Sequence, residues 1–213
     1  MAKKIYAVKK GKKTGLFDTW EACKAVVDGC SGAEYKSFLS EEEAKAYLTG
    51  AVQSGTGNRE DQVVAYVDGS FNKELGKYAF GCVLIKPDGG IIRESGNGDD
   101  PASLELRNVT GEMLGAMYAV KWSEVNGYPA VKICYDYMGI EMWATGGWKA
   151  NKDLTQKYAA FMRESSRRIE ITFQKIAAHT GDKYNEEADK LAKAALVHGN
   201  GIPRIKREQS EGE

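Results

Sequence analysis

Four acidic residues stand where a folded chain can gather carboxylates. Asp68 closes the apolar run VVAYVD, Asp136 closes VKICYD, Glu112 opens a helical pattern, and Asp189 lies within EEADKLAKAAL. Four carboxylates at one spot repel strongly unless cations neutralise them, and hard oxygen donors suit Mg²⁺ or Mn²⁺. Two such ions about 3.5–4 Å apart activate a water on one side of a phosphodiester and stabilise the leaving oxygen on the other. The chemistry that this set allows is phosphodiester hydrolysis. Each acid also has a plainer role: an aspartate after a β-branched run forms turns, a glutamate near a helix start meets the helix dipole, and most acids are solvated surface charges.

The elements must supply the convergence. From Val63 three strand-like runs follow one another, VVAYVD, YAFGCVLI and IIRESGNG, the last two joined by the turn Pro87-Asp88-Gly89-Gly90, which predicts an antiparallel meander. GEMLGAMYAVKWSEV places Met113, Met117 and Val120 at helical spacing, with Asn108 or Thr110 as candidate cap and Glu112 in the first turn. AVKICYD alternates Val131, Ile133 and Tyr135 against Lys132 and Cys134. A helical crossover between the two aspartate-bearing strands lets them run parallel, and ligands gather at the carboxyl ends of such strands. Helices over 139–144 and 153–166, a strand through IEITFQKIAA and a closing helix with Ala188, Leu191, Ala192 and Ala195 inward complete an α/β domain. Asp189 sits beside that packed stripe, able to face a cleft edge.

Ahead of this domain lies a smaller pattern. KIYAVKK and residues 15–17 read as short strands, a helix starts near Thr19 with Ala22, Ala25, Val26 and Val27 as its buried face, AEYKSFL reads as a strand, and Ser40-Glu41-Glu42-Glu43 starts a helix through Leu48. GAVQSGTGNREDQ is poor in apolar residues and reads as a linker. The predicted organisation is a small domain over 1–50, a flexible linker over 51–61, the larger domain over 62–199 and a loose polar tail over 200–213.

The 213 residues carry 30 basic and 30 acidic side chains, so the net charge is zero, and 42% are hydrophobic. Neutrality counts against nucleic acid only if charge is evenly spread, and Lys3, Lys4, Lys9, Lys10, Lys12 and Lys13 crowd the start with no acid among them. Cys23, Cys30, Cys82 and Cys134 form no C-x-x-C pair and are expected to be reduced packing residues. No stretch approaches the ~18 apolar residues of a membrane span and the start lacks a secretory core, so a cytoplasmic location is expected. No heptad stripe is evident, and a monomer is the expectation.

Y-V-D-G-S around Asp68, R-N-V-T-G-E ending at Glu112, Y-D-Y around Asp136 and A-H-T-G-D-K-Y-N-E-E-A-D from Ala178 to Asp189 resemble type 1 ribonuclease H. Y-A-V-K-K-G-K-K-T-G-L-F, Trp20 and Y-K-S-F resemble the hybrid-binding domain that precedes that nuclease in many members. The resemblance implies a mixed five-stranded sheet with helices on both faces, preceded by a small α/β domain. It assigns Asp68, Glu112, Asp136 and Asp189 to the metal-ligand positions for two Mg²⁺ ions, with Mn²⁺ able to substitute. His179 takes the position of a mobile-loop histidine that assists catalysis or product departure. It further implies ribose contacts from Asn108 and the backbone near Gly111, and contacts from Tyr6, Trp20, Tyr35 and Lys36 to the hybrid.

The implied function is cleavage of the RNA strand of RNA–DNA hybrids, with double-stranded RNA as a second ligand class for residues 1–50. Ser37 departs from a pattern that often has a second lysine, and TGGWKANK over 145–152 is shorter than the basic protrusion of some members. Rival readings are an integrase-like or resolvase-like DNA nuclease, because acid and metal chemistry does not specify the sugar, and a non-catalytic protein that binds hybrid or double-stranded RNA. His198, near the tail, is expected to have no role at the site.

Overall fold

The computed structural model describes residues 4–30, 32–38, 41, 44, 45, 48, 60–176 and 182–208. The chain divides into two compact units, Met1–Gly57 and Asn58–Glu213. Residues 51–59 of the expected linker lie outside the described residues, as do Ser40 and much of the helix expected after it, of which Glu41, Ala44, Lys45 and Leu48 are helical. Among the described residues no helix is long and apolar enough to cross a membrane.

In the first unit β1 (Ile5–Lys10) pairs antiparallel with β2 (Gly15–Phe17) and β3 (Glu34–Phe38), giving the order β2-β1-β3. Helix α1 (Trp20–Val27) is capped by Thr19, whose side chain accepts the Ala22 N–H. Its buried residues are Cys23 and Val27, packed with Val8, while Ala22 and Ala25 are exposed. Val26 and Val27 of the expected inner face do pack there, but Cys23 takes the place of Ala22 and Ala25, since over eight residues the helical repeat fits more than one register and only packing against β1 selects between them. All four cysteines are free thiols.

The second unit is built on β4 (Gln62–Asn72), β5 (Lys77–Ile85), β6 (Ile91–Gly98), β7 (Ala130–Tyr135) and β8 (Glu170–Lys175), in the order β6-β5-β4-β7-β8. β4, β5 and β6 form the antiparallel meander, and β7 runs parallel to both β4 and β8. Gly89, at φ 84°, takes the turn between β5 and β6. Between β6 and β7 come α2 (Pro101–Leu104), capped by Asp100, and α3 (Asn108–Val125). After β7 come α4 (Gly139–Ala144) and α5 (Asp153–Ser165), and α6 (Lys183–His198) follows β8. All of β7 is buried, Lys132 and Cys134 included, because a central parallel strand is covered on both faces.

Helix α3 packs on β4, β5 and β7 and is covered in turn by α4 and α5, while α6 packs on β4, β5 and β6. The two layers lie on opposite faces, as adjacent residues of paired strands show. A Cβ on Gly69 would fall 2.0 Å from the Asn108 carbonyl oxygen of α3, and one on Gly81 would fall 2.0 Å from that of Ala188 in α6. Gly69 pairs with Phe80, the neighbour of Gly81, so the two glycines point to opposite sides. Gly111 closes the α3 contact, its missing Cβ lying 1.9 Å from the Ala79 carbonyl oxygen and 2.8 Å from Gly69 Cα.

The tail is held rather than loose as far as Glu208. Asn97 and Gly201 exchange bonds, with Gly201 N–H donating to Asn97 Oδ1 at 2.9 Å and Asn97 N–H to Gly201 O at 3.2 Å. Ile205 packs against the main core, and Glu208 N–H donates to Asn126 Oδ1 at 2.7 Å. Polarity alone misjudged this segment because two backbone-specific asparagine contacts and one isoleucine suffice to dock it.

The glycine contacts make a direct prediction. An alanine at 111 gains about 1 kcal/mol of helix propensity, yet the backbone atoms around it must separate, at a net cost of about 2–3 kcal/mol. Gly115→Ala, whose Cβ would meet the Val67 side chain at 3.3 Å, is expected to cost far less. Equal urea midpoints for the two variants would show that α3 does not approach β5 this closely.

Candidate active site

Parallel pairing of β4 with β7 ends at Tyr66 and Cys134, whereas β4 continues beside β5 as far as Asn72. Asp68 therefore does not end its strand, as the apolar run suggested, because Gly69–Asn72 go on pairing with β5. It does stand two residues past the last parallel pair, and the same register carried forward sets it opposite Asp136, the residue after β7. Carboxyl-terminal edges of parallel strands are where such sheets present ligand-binding side chains.

Glu112 arrives from α3 and is 1% exposed. It lies one turn deeper than expected, since α3 begins at Asn108 with Arg107 in the capping position. Neither proposed cap acts as one. Thr110 donates its hydroxyl to Ser103 O, Asn108 is exposed, and no side chain caps the helix. Arg107 has φ 53°, the one described non-glycine residue with positive φ, so a strained residue starts the helix where a capping side chain was expected.

One carboxylate oxygen from each of Asp68, Glu112 and Asp136 lies within 4.8 Å of the other two. Burial pushes Asp68 up to about 6; the Gly69 N–H, donated at 2.6 Å, opposes this, Asp136 and Asp189 add to it, and Lys193 reduces it. Burial, then the charges of Asp136 and Asp68, push Glu112 up to about 9 against the pull of the Tyr137 N–H. Glu112 Oε2 is wholly buried with no hydrogen-bond partner. A buried, unpartnered carboxylate oxygen beside two more carboxylates is unfavourable without a cation, and an all-oxygen donor set fits a hard divalent ion. Asp68, Glu112 and Asp136 are the residues that would hold it.

Asp189 lies outside that group of three. It is near enough for its charge to raise Asp68, and its Oδ2 accepts from Lys193 Nζ at 2.7 Å, one turn along α6. His179 falls in 177–181, outside the described residues. His198 ends α6. In the first unit Tyr6, Trp20 and Tyr35 form one aromatic group, Trp20 standing 5.7 Å from Tyr6 and 5.8 Å from Tyr35. Trp20 and Tyr35 are exposed, Tyr6 is half-buried in the small core, and Lys36 is half-buried on β3.

A second aromatic group went unread in the sequence. Tyr137, next to Asp136, lies 6.0 Å from Trp143 and 6.4 Å from Trp148, and the two tryptophans are 5.9 Å apart. Tyr137 and Trp148 are exposed. The signal available was three large aromatics within twelve residues of an aspartate-ended strand. Lys193 was likewise missed, although its place four residues after Asp189 on a helix marks the pair.

Residues 60–197 match the RNase H family, and residues 4–48 match the ribonuclease H1 N-terminal domain. Ribonuclease H1 of Homo sapiens is 26% identical over 253 aligned positions, covering 89% of this chain and 88% of the human protein. Ribonuclease HI of Halobacterium salinarum is 31% identical, covering 70% of each. The ribonuclease H of Saccharomyces cerevisiae is 56% identical over 44 residues, 13% of its length. Among solved structures, the ribonuclease H1 of Halobacterium salinarum superposes with a TM-score of 0.54 at 26% identity, covering 63% of this chain and 97% of that one. LC11 ribonuclease H1, crystallised with an RNA/DNA hybrid, shares the fold, with a TM-score of 0.52 at 18% identity and coverage of 63% and 96%. With two family matches that leave out little beyond the linker and the tail, this chain belongs to the ribonuclease H family of metal-dependent endoribonucleases.

Proposed function

We propose that this chain hydrolyses the RNA strand of RNA–DNA hybrids endonucleolytically, using two Mg²⁺ ions, for which Mn²⁺ can substitute. The observation that carries this reading is the approach of Asp68, Glu112 and Asp136 to within 4.8 Å, with Glu112 Oε2 buried and unpartnered. Asp189, now held by Lys193, would complete the ligand set from α6. When bound, the ions supply Lewis-acid polarisation of the phosphodiester and a nucleophile at neutral pH.

The remaining work belongs to the chain. Asp68, fixed by the Gly69 N–H, and Asp136, at the end of β7, would hold the ions at the sheet edge, and the phosphate would be oriented through them. Glu112 and the exposed Asn108 at the start of α3 face the sugar beside the scissile phosphate, where a 2′-hydroxyl separates RNA from DNA. His179 assists departure of the product. The aromatic group of Tyr137, Trp143 and Trp148 offers sugar-stacking faces beside Asp136, and Tyr6, Trp20, Tyr35 and Lys36 give the N-terminal unit its hold on the hybrid.

Three outcomes test this. Wild type with Mg²⁺ should cut the RNA strand of a hybrid and leave duplex DNA and duplex RNA intact, while Asp68→Asn loses at least ~10²-fold in kcat, a loss of the size expected on removing a transition-state contact. Cleavage of duplex DNA would favour the integrase-like reading, and hybrid binding without cleavage would favour a binding protein. Replacing Trp20 and Tyr35 together by alanine should raise KM for long hybrids by roughly 30-fold or more, given about 1–3 kcal/mol per aromatic stacking contact, with kcat little changed; an unaltered KM would remove them from the binding surface.

The third outcome concerns pH. Asp68 and Glu112 sit above their ordinary values of 3.8 and 4.5, so in chelator their contribution to stability is fully present below about pH 4. It is lost as pH rises, through about 6 for Asp68 and about 9 for Glu112. Glu112→Gln should therefore melt several degrees above wild type at pH 8 in chelator, at about 2–4 °C per kcal/mol, with the gap closing by pH 4. Adding Mg²⁺ should raise the wild-type midpoint more than that of the variant. A gap independent of pH would show that Glu112 carries no such burden.

A further inference from the structure

Asp136 stands on the short corner, 136–138, between β7 and α4, and buried hydroxyl groups outside the carboxylate set hold that corner. Tyr135, the last residue of β7, is fully buried and donates its hydroxyl to Glu141 Oε2 in the first turn of α4. Glu141 is itself 8% exposed. Tyr158 of α5, also fully buried, donates to Ile140 O at 2.9 Å, and the carbonyl of Tyr135 accepts the Ile176 N–H at 2.8 Å. The strand end, the start of α4, α5 and the residue after β8 are thus tied around one turn of chain.

That turn does two things for the site. It carries the Asp136 carboxylate, and it brings the Tyr137 N–H near the Glu112 carboxylate. A buried phenol–carboxylate pair is expensive to desolvate, and an apolar pair of the same shape would fill the space at no less stability. Its position at the end of β7, next to Asp136, gives it a use that packing does not.

We propose that Tyr135 and Glu141 are a positioning pair, whose buried hydrogen bond holds the β7–α4 corner so that Asp136 meets Asp68 and Glu112 in cation-binding geometry. This rests on the assignment of Asp136 and Glu112 as metal ligands made above. Outer partners of metal ligands commonly change affinity by about 10–100-fold when removed, whereas a packing contact changes stability alone.

The test is calorimetric titration of Mn²⁺ into the full chain, with melting temperatures and hybrid-cleavage kinetics alongside. Tyr135→Phe should weaken Mn²⁺ binding by about 10-fold or more and lower kcat with KM for the hybrid unchanged. Glu141→Gln keeps an acceptor for the phenol and should stay close to wild type. If Tyr135→Phe does not fold, the double variant Tyr135→Phe/Glu141→Leu removes the polar pair entirely and should fold with the same loss of Mn²⁺ affinity. Wild-type Mn²⁺ affinity in either folded variant, whatever its melting temperature, overturns the pair as a positioning device. Equal Mn²⁺ binding by wild type and Asp136→Asn would instead overturn the ligand assignment itself, and the inference with it.

Discussion

Helices α3 and α6 press onto β4 and β5 so closely that no Cβ fits at Gly69, Gly111 or Gly81. Everything at the site hangs on that approach. Because backbone meets backbone, the distance from α3 to β4 is set by peptide groups rather than by side chains that could repack. Glu112 follows Gly111 directly, and Asp68 precedes Gly69, so the contact that joins helix to strand also brings these two carboxylates together. On the other face Gly81 fixes α6 near Ala188, the neighbour of Asp189. Two acids are thereby fixed through the helices and two through the sheet.

Such a site costs stability. Three carboxylates lie within 4.8 Å, one of them almost wholly buried and one of its oxygens unpartnered. A fold gains nothing from that arrangement unless a cation enters, and what restrains the repulsion meanwhile is the Gly69 N–H on Asp68 and the Lys193 ammonium near Asp68 and Asp189. The surrounding core, with Phe80, Met113, Ile133 and Tyr158 all buried, supplies the rigidity that holds like charges in place.

Much of this was legible in the chain. The meander, the crossover and the bounds of α4 followed from turn residues and hydrophobic period, because those signals are local. Where tertiary contacts override local pattern, the sequence misled. β4 runs on past Asp68 because Gly69–Asn72 find partners in β5, although G-S-F-N has no strand-like alternation. The start of α3 is marked by the strained Arg107 and not by Asn108 or Thr110, and no propensity encodes a backbone strained by its surroundings. Cys23 outranks Ala22 and Ala25 as a core residue only because β1 lies over it. Three of the acids singled out by their motifs, Asp68, Glu112 and Asp136, lie together, but the separation of Asp189 from them depends on where α6 sits, which no spacing reveals.

The docked tail has a practical geometric meaning. Glu208, the last described residue, is tied to Asn126, which directly follows the carboxyl end of α3. Glu112 lies fourteen residues back along that helix, about 20 Å at 1.5 Å per residue. A tether attached at Glu208 would therefore leave the domain about a helix length from the carboxylates and keep that edge open.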